Sequence, residues 1–119
     1  MGNFRKLKVW QQARSLTNSI YRSTEQFPRA EQFGLTAQMR SASVSIMSNI
    51  AEGCGRNGKG ELIRFLNIAR GSATELESHL VVAEDQGFLN QTSSTDLQQN
   101  AVGVQKMLAG LIRHLTDNS

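Results

Sequence analysis

The chain is poor in the residues that build stapled, membrane-spanning or many-stranded proteins. It has one cysteine, Cys54, which excludes an internal disulfide framework and a cysteine-based zinc site. It has one proline, Pro28, and only 6% aromatic residues, too little turn and sheet chemistry for an all-β fold. No apolar run approaches the ~18–20 residues of a membrane span. Met1 to Trp10 is mixed and polar, without the apolar stretch of a secretory signal. What remains is a chain of 119 residues, expected to form a single domain over 1–119 in a reducing cytoplasm, with no membrane partner.

Charge is present but unevenly spread. The chain has 13 Lys and Arg against 10 Asp and Glu, a net of +3 with a pI near 9.5. Residues 1–70 carry 11 basic and 4 acidic side chains, whereas residues 71–119 carry 2 and 6, so the halves stand at +7 and −4. Such a split marks a phosphate-binding footprint, a self-complementary surface, or two ordinary solvated faces.

The apolar residues fall at helical spacing in four segments. The first holds Val9, Ala13, Leu16 and Ile20, flanked by Trp10 and Tyr21. The second holds Leu35, Met39, Ala42, Ile46 and Ile50. Leu62, Leu66, Ala69, Ala73, Leu76, Leu80 and Ala83 form the third, and Leu97, Ala101, Val104, Leu108, Leu111 and Leu115 the fourth. Steps alternating between four and three make a seam suited to shallow helix crossings. Phe27-Pro28 ends the first helix, the glycines from Gly53 to Gly60 separate the second and third, and Gly87 stops the third. Asn90 or Thr92 caps the fourth, which should fray after Leu115. Short connections then predict an all-α, antiparallel up-down-up-down four-helix bundle. A second apolar set (Val44, Met47, Ile63, Phe65, Ile68, Val102, Met107, Ile112) is either the remainder of a broad core or a surface for another subunit.

Motifs that resemble chemistry fail on context. Gly53-Cys54-Gly55-Arg56-Asn57-Gly58 fits G-x-G-x-x-G, and with Lys59 most of a P-loop, but a helical stripe precedes it instead of a strand, and Gly60 replaces the magnesium-binding hydroxyl. His79 and His114 have no ligand partners at metal spacing. Cys54 has Arg56 and Lys59 nearby to lower its pKa, but no assignable base. No metal, cofactor or catalytic residue is expected, and the chain reads as non-enzymatic. Two polar residues of the second helix carry structural expectations. Asn49 continues the seam, where a buried Asn fixes register and partner number. Glu52 sits at a helix C-terminus and calls for a cation, with Arg56, Arg40 and Arg14 as candidates.

Three stretches carry a family pattern: LKVWQQARSLTNSIY (Leu7 to Tyr21), FPRAEQFGLTAQMRSASVSIMSNIAEGCGR (Phe27 to Arg56) and ELIRFLNIARGSATELESHL (Glu61 to Leu80). Together they closely resemble the four-helix-bundle proteins encoded in intervening sequences of bacterial 23S ribosomal RNA genes. Asn49 to Arg56 and Arg64 to Ser72 are the most specific elements. The chain departs from the pattern at Ser41, where a second arginine is frequent, and at Met47, where proline is frequent. The resemblance implies a homo-oligomer, with a pentamer as the expected count, and a likeness to the basic accessory proteins of diversity-generating retroelements, which engage nucleic acid. It carries over no catalytic residue.

Two functions follow as expectations. In the first, the bundle binds RNA or DNA by sequence-independent phosphate contacts from Arg5, Lys6, Lys8, Arg14, Arg22, Arg40, Arg56 and Lys59. The low aromatic content predicts no stacking platform for base-specific readout. In the second, the oligomer is a scaffold for a partner protein, and the charged halves meet across a subunit boundary.

Overall fold

A computed structural model describes residues 2–118. Four helices account for most of them: α1 (Lys8–Thr24), α2 (Leu35–Gly55), α3 (Lys59–Asp85) and α4 (Gln91–Asp117). Short 3-10 turns at Phe4–Lys6 and Arg29–Glu31 precede α1 and α2, and there is no strand among the described residues. The bundle measures 46 × 22 × 19 Å, its length set by the 27-residue α3 and α4.

Consecutive helices run antiparallel. Arg40, early in α2, bonds Thr24 and Tyr21 late in α1, and Ser43 one turn on accepts from Thr17. Ser45 meets Ser72 at 3.0 Å in the middle of α2 and α3, while Gly53 lies against Leu62 and Phe65 at the start of α3. Ser94 donates to the Leu80 carbonyl at 3.3 Å, and Gln105 reaches Glu77 at 2.9 Å and the Ala73 carbonyl at 3.5 Å. α1 touches α2 and α4 but not α3, so the helices occupy the corners of a square in chain order.

The core is the predicted seam. Val9, Ala13, Leu16, Ile20, Met39, Ala42, Ile46 and Ile50 are buried, as is every seam residue of α3. In α4 the seam is buried through Leu108, and Leu111 and Leu115 are half-buried near the helix end. Truncating a fully buried member such as Leu76 to Ala would cost about 2–5 kcal/mol. The buried hydroxyls of Ser43 and Ser94 donate to the carbonyls of Arg40 and Leu80, which offsets their desolvation. Half of the second apolar set also packs within the subunit: Phe65 is buried, and Met47, Met107 and Ile112 lie against the core. Only Val44 and Ile68 of that set are substantially exposed.

The helix ends follow local chemistry. Gly87 adopts φ 78°, the Phe88 amide donates to the Ala83 carbonyl at 2.9 Å, and the Gly87 amide donates to that of Glu84 at 3.0 Å, which is a Schellman stop. Asn90 caps α4 by accepting from the Ser93 amide at 2.8 Å. Phe27 and Phe88, from the two connections at this end, meet at 5.5 Å and close the core. The glycine segment differs from expectation. Gly53 to Gly55 remain helical, so the loop is only Arg56, Asn57 and Gly58. α4 also continues past Leu115 to Asp117, where Asn118 donates its side-chain amide to the His114 carbonyl at 2.7 Å.

Candidate functional site

The bundle has two chemically distinct ends. One, the glycine end, gathers the starts of α1 and α3 with the ends of α2 and α4. Dividing each helix at its middle residue, this end holds Arg5, Lys6, Lys8, Arg14, Arg56, Lys59, Arg64, Arg70, Lys106 and Arg113 against Glu52, Glu61 and Asp117, a net of +7. The opposite, proline end holds Arg22, Arg29 and Arg40 against Glu25, Glu31, Glu75, Glu77, Glu84, Asp85 and Asp96, a net of −4. The asymmetry read along the sequence therefore becomes an asymmetry along the bundle axis, with different members. Lys106 and Arg113 join the basic end, and Arg22, Arg29 and Arg40 leave it.

Local neutralisation at the basic end is slight. Arg56 pairs with Glu52 at 3.2 Å and Arg64 with Glu61 at 2.9 Å, both on the surface within one helix. The Arg64 hydrogen bond holds the Glu61 carboxyl below its ordinary range. The remaining ion-pair geometry among the described residues is His79 to Glu75 at 4.0 Å, which requires a protonated imidazole. Both pairs are solvent-exposed and add little to stability, and three acids against ten cations leave the end with its positive field.

The eight expected phosphate-binding residues do not form one patch. Arg5, Lys6, Lys8 and Arg14 lie along the start of α1 and the turn before it, all exposed. Arg56 and Lys59 flank the glycine loop, Lys59 donating to the Asn118 carbonyl at 2.7 Å and so tying α3 to the end of α4. Arg22 is on the other half of α1, bonded to Ser19 at 3.3 Å. Arg40 staples α2 to α1: its Nε donates to Thr24 Oγ1 at 2.9 Å, and its guanidinium stacks 4.7 Å from the Tyr21 ring. Glu52 has Arg56 as its cation, not Arg40 or Arg14. Asn49 is half-buried because Ile50 takes the seam position; its amide donates to the Ser45 carbonyl and hydroxyl, and Ser45 passes the link to Ser72. Cys54 is buried, and burial raises its thiol pKa, against the lowering expected from its neighbouring cations. No group of three His, Cys, Asp or Glu placed to hold a metal ion occurs among the described residues.

A groove opens between α1 and α2 that no sequence pattern announces. Phe4, Trp10 and Tyr21 line it together with Val44, Met47 and Ala51 and the polar Arg14, Thr17, Asn18 and Ser48, around an open space of about 560 Å³. The Phe4 and Trp10 rings meet edge-on at 5.0 Å, and Arg14 lies 5.9 Å from the Trp10 centroid. Three aromatic residues thus gather on one face despite the low aromatic content, so the expected lack of any ring-lined platform does not hold here. Asn3 makes this possible by capping the short turn that carries Phe4: its side chain accepts from the Arg5 amide at 3.1 Å. A polar turn of three residues has no periodicity to announce it.

No curated protein sequence matches the chain. The profile of the 23S rRNA-intervening sequence proteins matches residues 5–110. The chain belongs to that family. Its fold is also that of a crystal structure from Bacteroides thetaiotaomicron, a protein of unknown function from the S23 ribosomal protein family. The two agree with a TM-score of 0.81 over 88% of this chain and 95% of that one, at 20% identity, a level at which the likeness concerns the fold. The family match runs from the turn before α1 through most of α4, and so includes most of the basic end and of the groove, though not Phe4, Arg113 or Asp117. Among the described residues, no helix is long and apolar enough to cross a membrane.

Proposed function

We propose that this 23S rRNA-intervening sequence family member is a non-enzymatic homo-oligomeric bundle that binds nucleic acid through its glycine end. The observation that carries the reading is the axial segregation of charge, +7 at one end with two of its ten cations in side-chain carboxylate pairs among the described residues. Such an end attracts phosphate without regard to sequence, and release of counterions makes the affinity fall steeply with salt. For the oligomer, the family resemblance supplies the expected count of five. The phosphate contacts fall to Arg5, Lys6, Lys8, Arg14, Arg56 and Lys59. Arg22 and Arg40 are left out because they lie at the acidic end.

The test is fluorescence anisotropy with labelled RNA and DNA of equal length between 50 and 200 mM salt. Reversing Lys6 and Lys8 to Glu should weaken binding about tenfold or more at the lower salt and flatten the salt slope. Reversing Arg22 alone should change it far less. Absence of binding at 50 mM salt, or equal loss from the Arg22 variant, refutes the reading. A second reading, a scaffold for a protein partner, is supported by the apolar groove and by exposed Phe33. A stoichiometric protein partner retained after nuclease treatment, with no nucleic-acid affinity in the purified chain, would favour it.

A further inference from the structure

A second cleft lies at the proline end, where the close of α1, the connection after it and the start of α2 meet. It is open and holds about 310 Å³. Its charged lining is Arg29, Arg40 and Glu25, and none of the three is in an ion pair among the described residues. The cleft is therefore locally positive, by one charge, within an end whose net is −4.

Arg40 is already posed for a ligand. Its Nε donates to Thr24 Oγ1 at 2.9 Å, its Nη2 donates to the Tyr21 carbonyl at 3.3 Å, and the guanidinium lies 4.7 Å from the Tyr21 ring centroid. These contacts fix the guanidinium plane and leave Nη1 without an acceptor in the protein. Thr36, in the first turn of α2, adds a further donor. It is 8% exposed, yet its hydroxyl makes no hydrogen bond to the protein. What remains open of Thr36 faces the cleft, so the cleft is where a partner for that hydroxyl would sit. The Glu31 carboxylate serves the neighbouring helix amide, that of Leu35, at 3.3 Å.

One oxyanion satisfies these donors together. A guanidinium edge grips it through charge-assisted hydrogen bonds, and the hydroxyl supplies another. Charge selects the kind of oxyanion. Arg29 and Arg40 against Glu25 leave +1, which a single carboxylate neutralises. A phosphate group, at about −1.5 to −2 near neutral pH, overshoots and meets both Glu25 and the acids of this end. Phe27 and Pro28 form the apolar part of the lining, beside which a short hydrocarbon stem fits. From these groups we propose that the proline-end cleft binds a small monocarboxylate with a short apolar stem, held by Arg40, Arg29 and the Thr36 hydroxyl. This site is separate from the basic end and does not depend on nucleic-acid binding there.

The test is saturation-transfer difference NMR with butyrate, which reads weak binding whatever the size of the assembly. n-Butanol keeps the stem without the carboxylate, and inorganic phosphate, added as a competitor at constant ionic strength, keeps the charge without the stem. Butyrate should saturate below about 50 mM. n-Butanol should bind at least tenfold more weakly, and phosphate at equal concentration should leave butyrate bound. Arg29→Gln should weaken butyrate binding at least about tenfold, and Thr36→Val about fivefold. Because the Thr36 hydroxyl has no partner in the protein, Thr36→Val should keep the wild-type melting temperature, which separates lost affinity from lost fold. Arg22→Gln, on α1 but outside the cleft lining, should bind like the wild type. The proposal fails if butyrate does not saturate, if n-butanol binds as well, or if phosphate displaces butyrate. It also fails if Arg29→Gln or Thr36→Val keeps wild-type affinity, or if Arg22→Gln loses as much.

Discussion

Replacing Gly53 by Ala tests the helix geometry at the basic end. A Cβ built on Gly53 would lie 2.9 Å from Phe65 Cβ, 3.2 Å from Leu62 Cδ1 and 3.3 Å from the Leu62 carbonyl oxygen. The Leu62 methyl can rotate away, but Phe65 Cβ is fixed to the α3 backbone and moves only if the helices separate. Against this stands the higher helix propensity of Ala, worth up to about 1 kcal/mol in a helix interior and less here, two residues from the end of α2. Forcing a methyl into a closed contact costs about 1–3 kcal/mol, so the net effect is destabilising by about 1–2 kcal/mol. For a domain of this size that lowers the melting temperature by roughly 3–10 °C. The control is Gly71→Ala, since Gly71 is an interior residue of α3 with nothing within 4 Å of its built Cβ. That change should stabilise by about 0.5–1 kcal/mol. Urea unfolding followed by far-ultraviolet circular dichroism reads both variants. The reasoning fails if Gly53→Ala unfolds at the same urea concentration as the wild type or higher, or if the two glycines respond with the same sign.

Four further outcomes are expected. Asn90→Ala removes the α4 cap and should lower stability by about 1 kcal/mol, whereas Asn90→Ser should restore most of it; equal urea midpoints would contradict the assignment. His79 Nδ1 is buried without a hydrogen-bond partner, so His79→Leu at pH 8 should leave stability unchanged or raise it by up to about 1 kcal/mol, and a clear loss by thermal melting would mean the nitrogen has a role. Cys54 should react with iodoacetamide at pH 7.5 at least tenfold more slowly than free cysteine, because burial both shields the thiol and raises its pKa; urea should remove the protection. The folded Glu61 pKa lies below the unfolded one, so its contribution is complete above the unfolded value and is lost as pH falls through the folded value. Carbon-detected NMR titration should place the Glu61 midpoint below the ordinary glutamate range, and Arg64→Gln should return it toward that range.

The core was legible in the sequence because helix burial is a local, periodic property: a residue four or three steps from a buried one faces the same way wherever the helix lies. The same rule explains the error at Asn49. After Ile46 the seam can step three, to Asn49, or four, to Ile50, and spacing alone does not choose. Packing against α3 chose Ile50 and left Asn49 half-buried, bonded to Ser45. Spacing leaves Phe65 either to a broad core or to another subunit; it joins the core, because the helical Gly53 lets α2 approach α3 closely there. That approach depends on two residues twelve positions apart, which no window of one helix contains.

Charge obeys a different geometry from burial. In an up-down bundle, position along the axis reverses with every helix, so residues near 8, 55, 59 and 117 share one end. A running sum over sequence places Arg22 and Arg40 with the other cations and Arg113 with the acids, and folding exchanges them. The net values at the two ends happen to equal those of the two halves of the sequence, +7 and −4, but only the spatial division has consequences for binding. Phosphate drawn by that field would meet the cations around the glycine loop and the start of α1, so affinity should follow the spatial division and not the linear one: reversing Lys6 and Lys8 should weaken it far more than reversing Arg22, although all three lie in the basic half of the sequence.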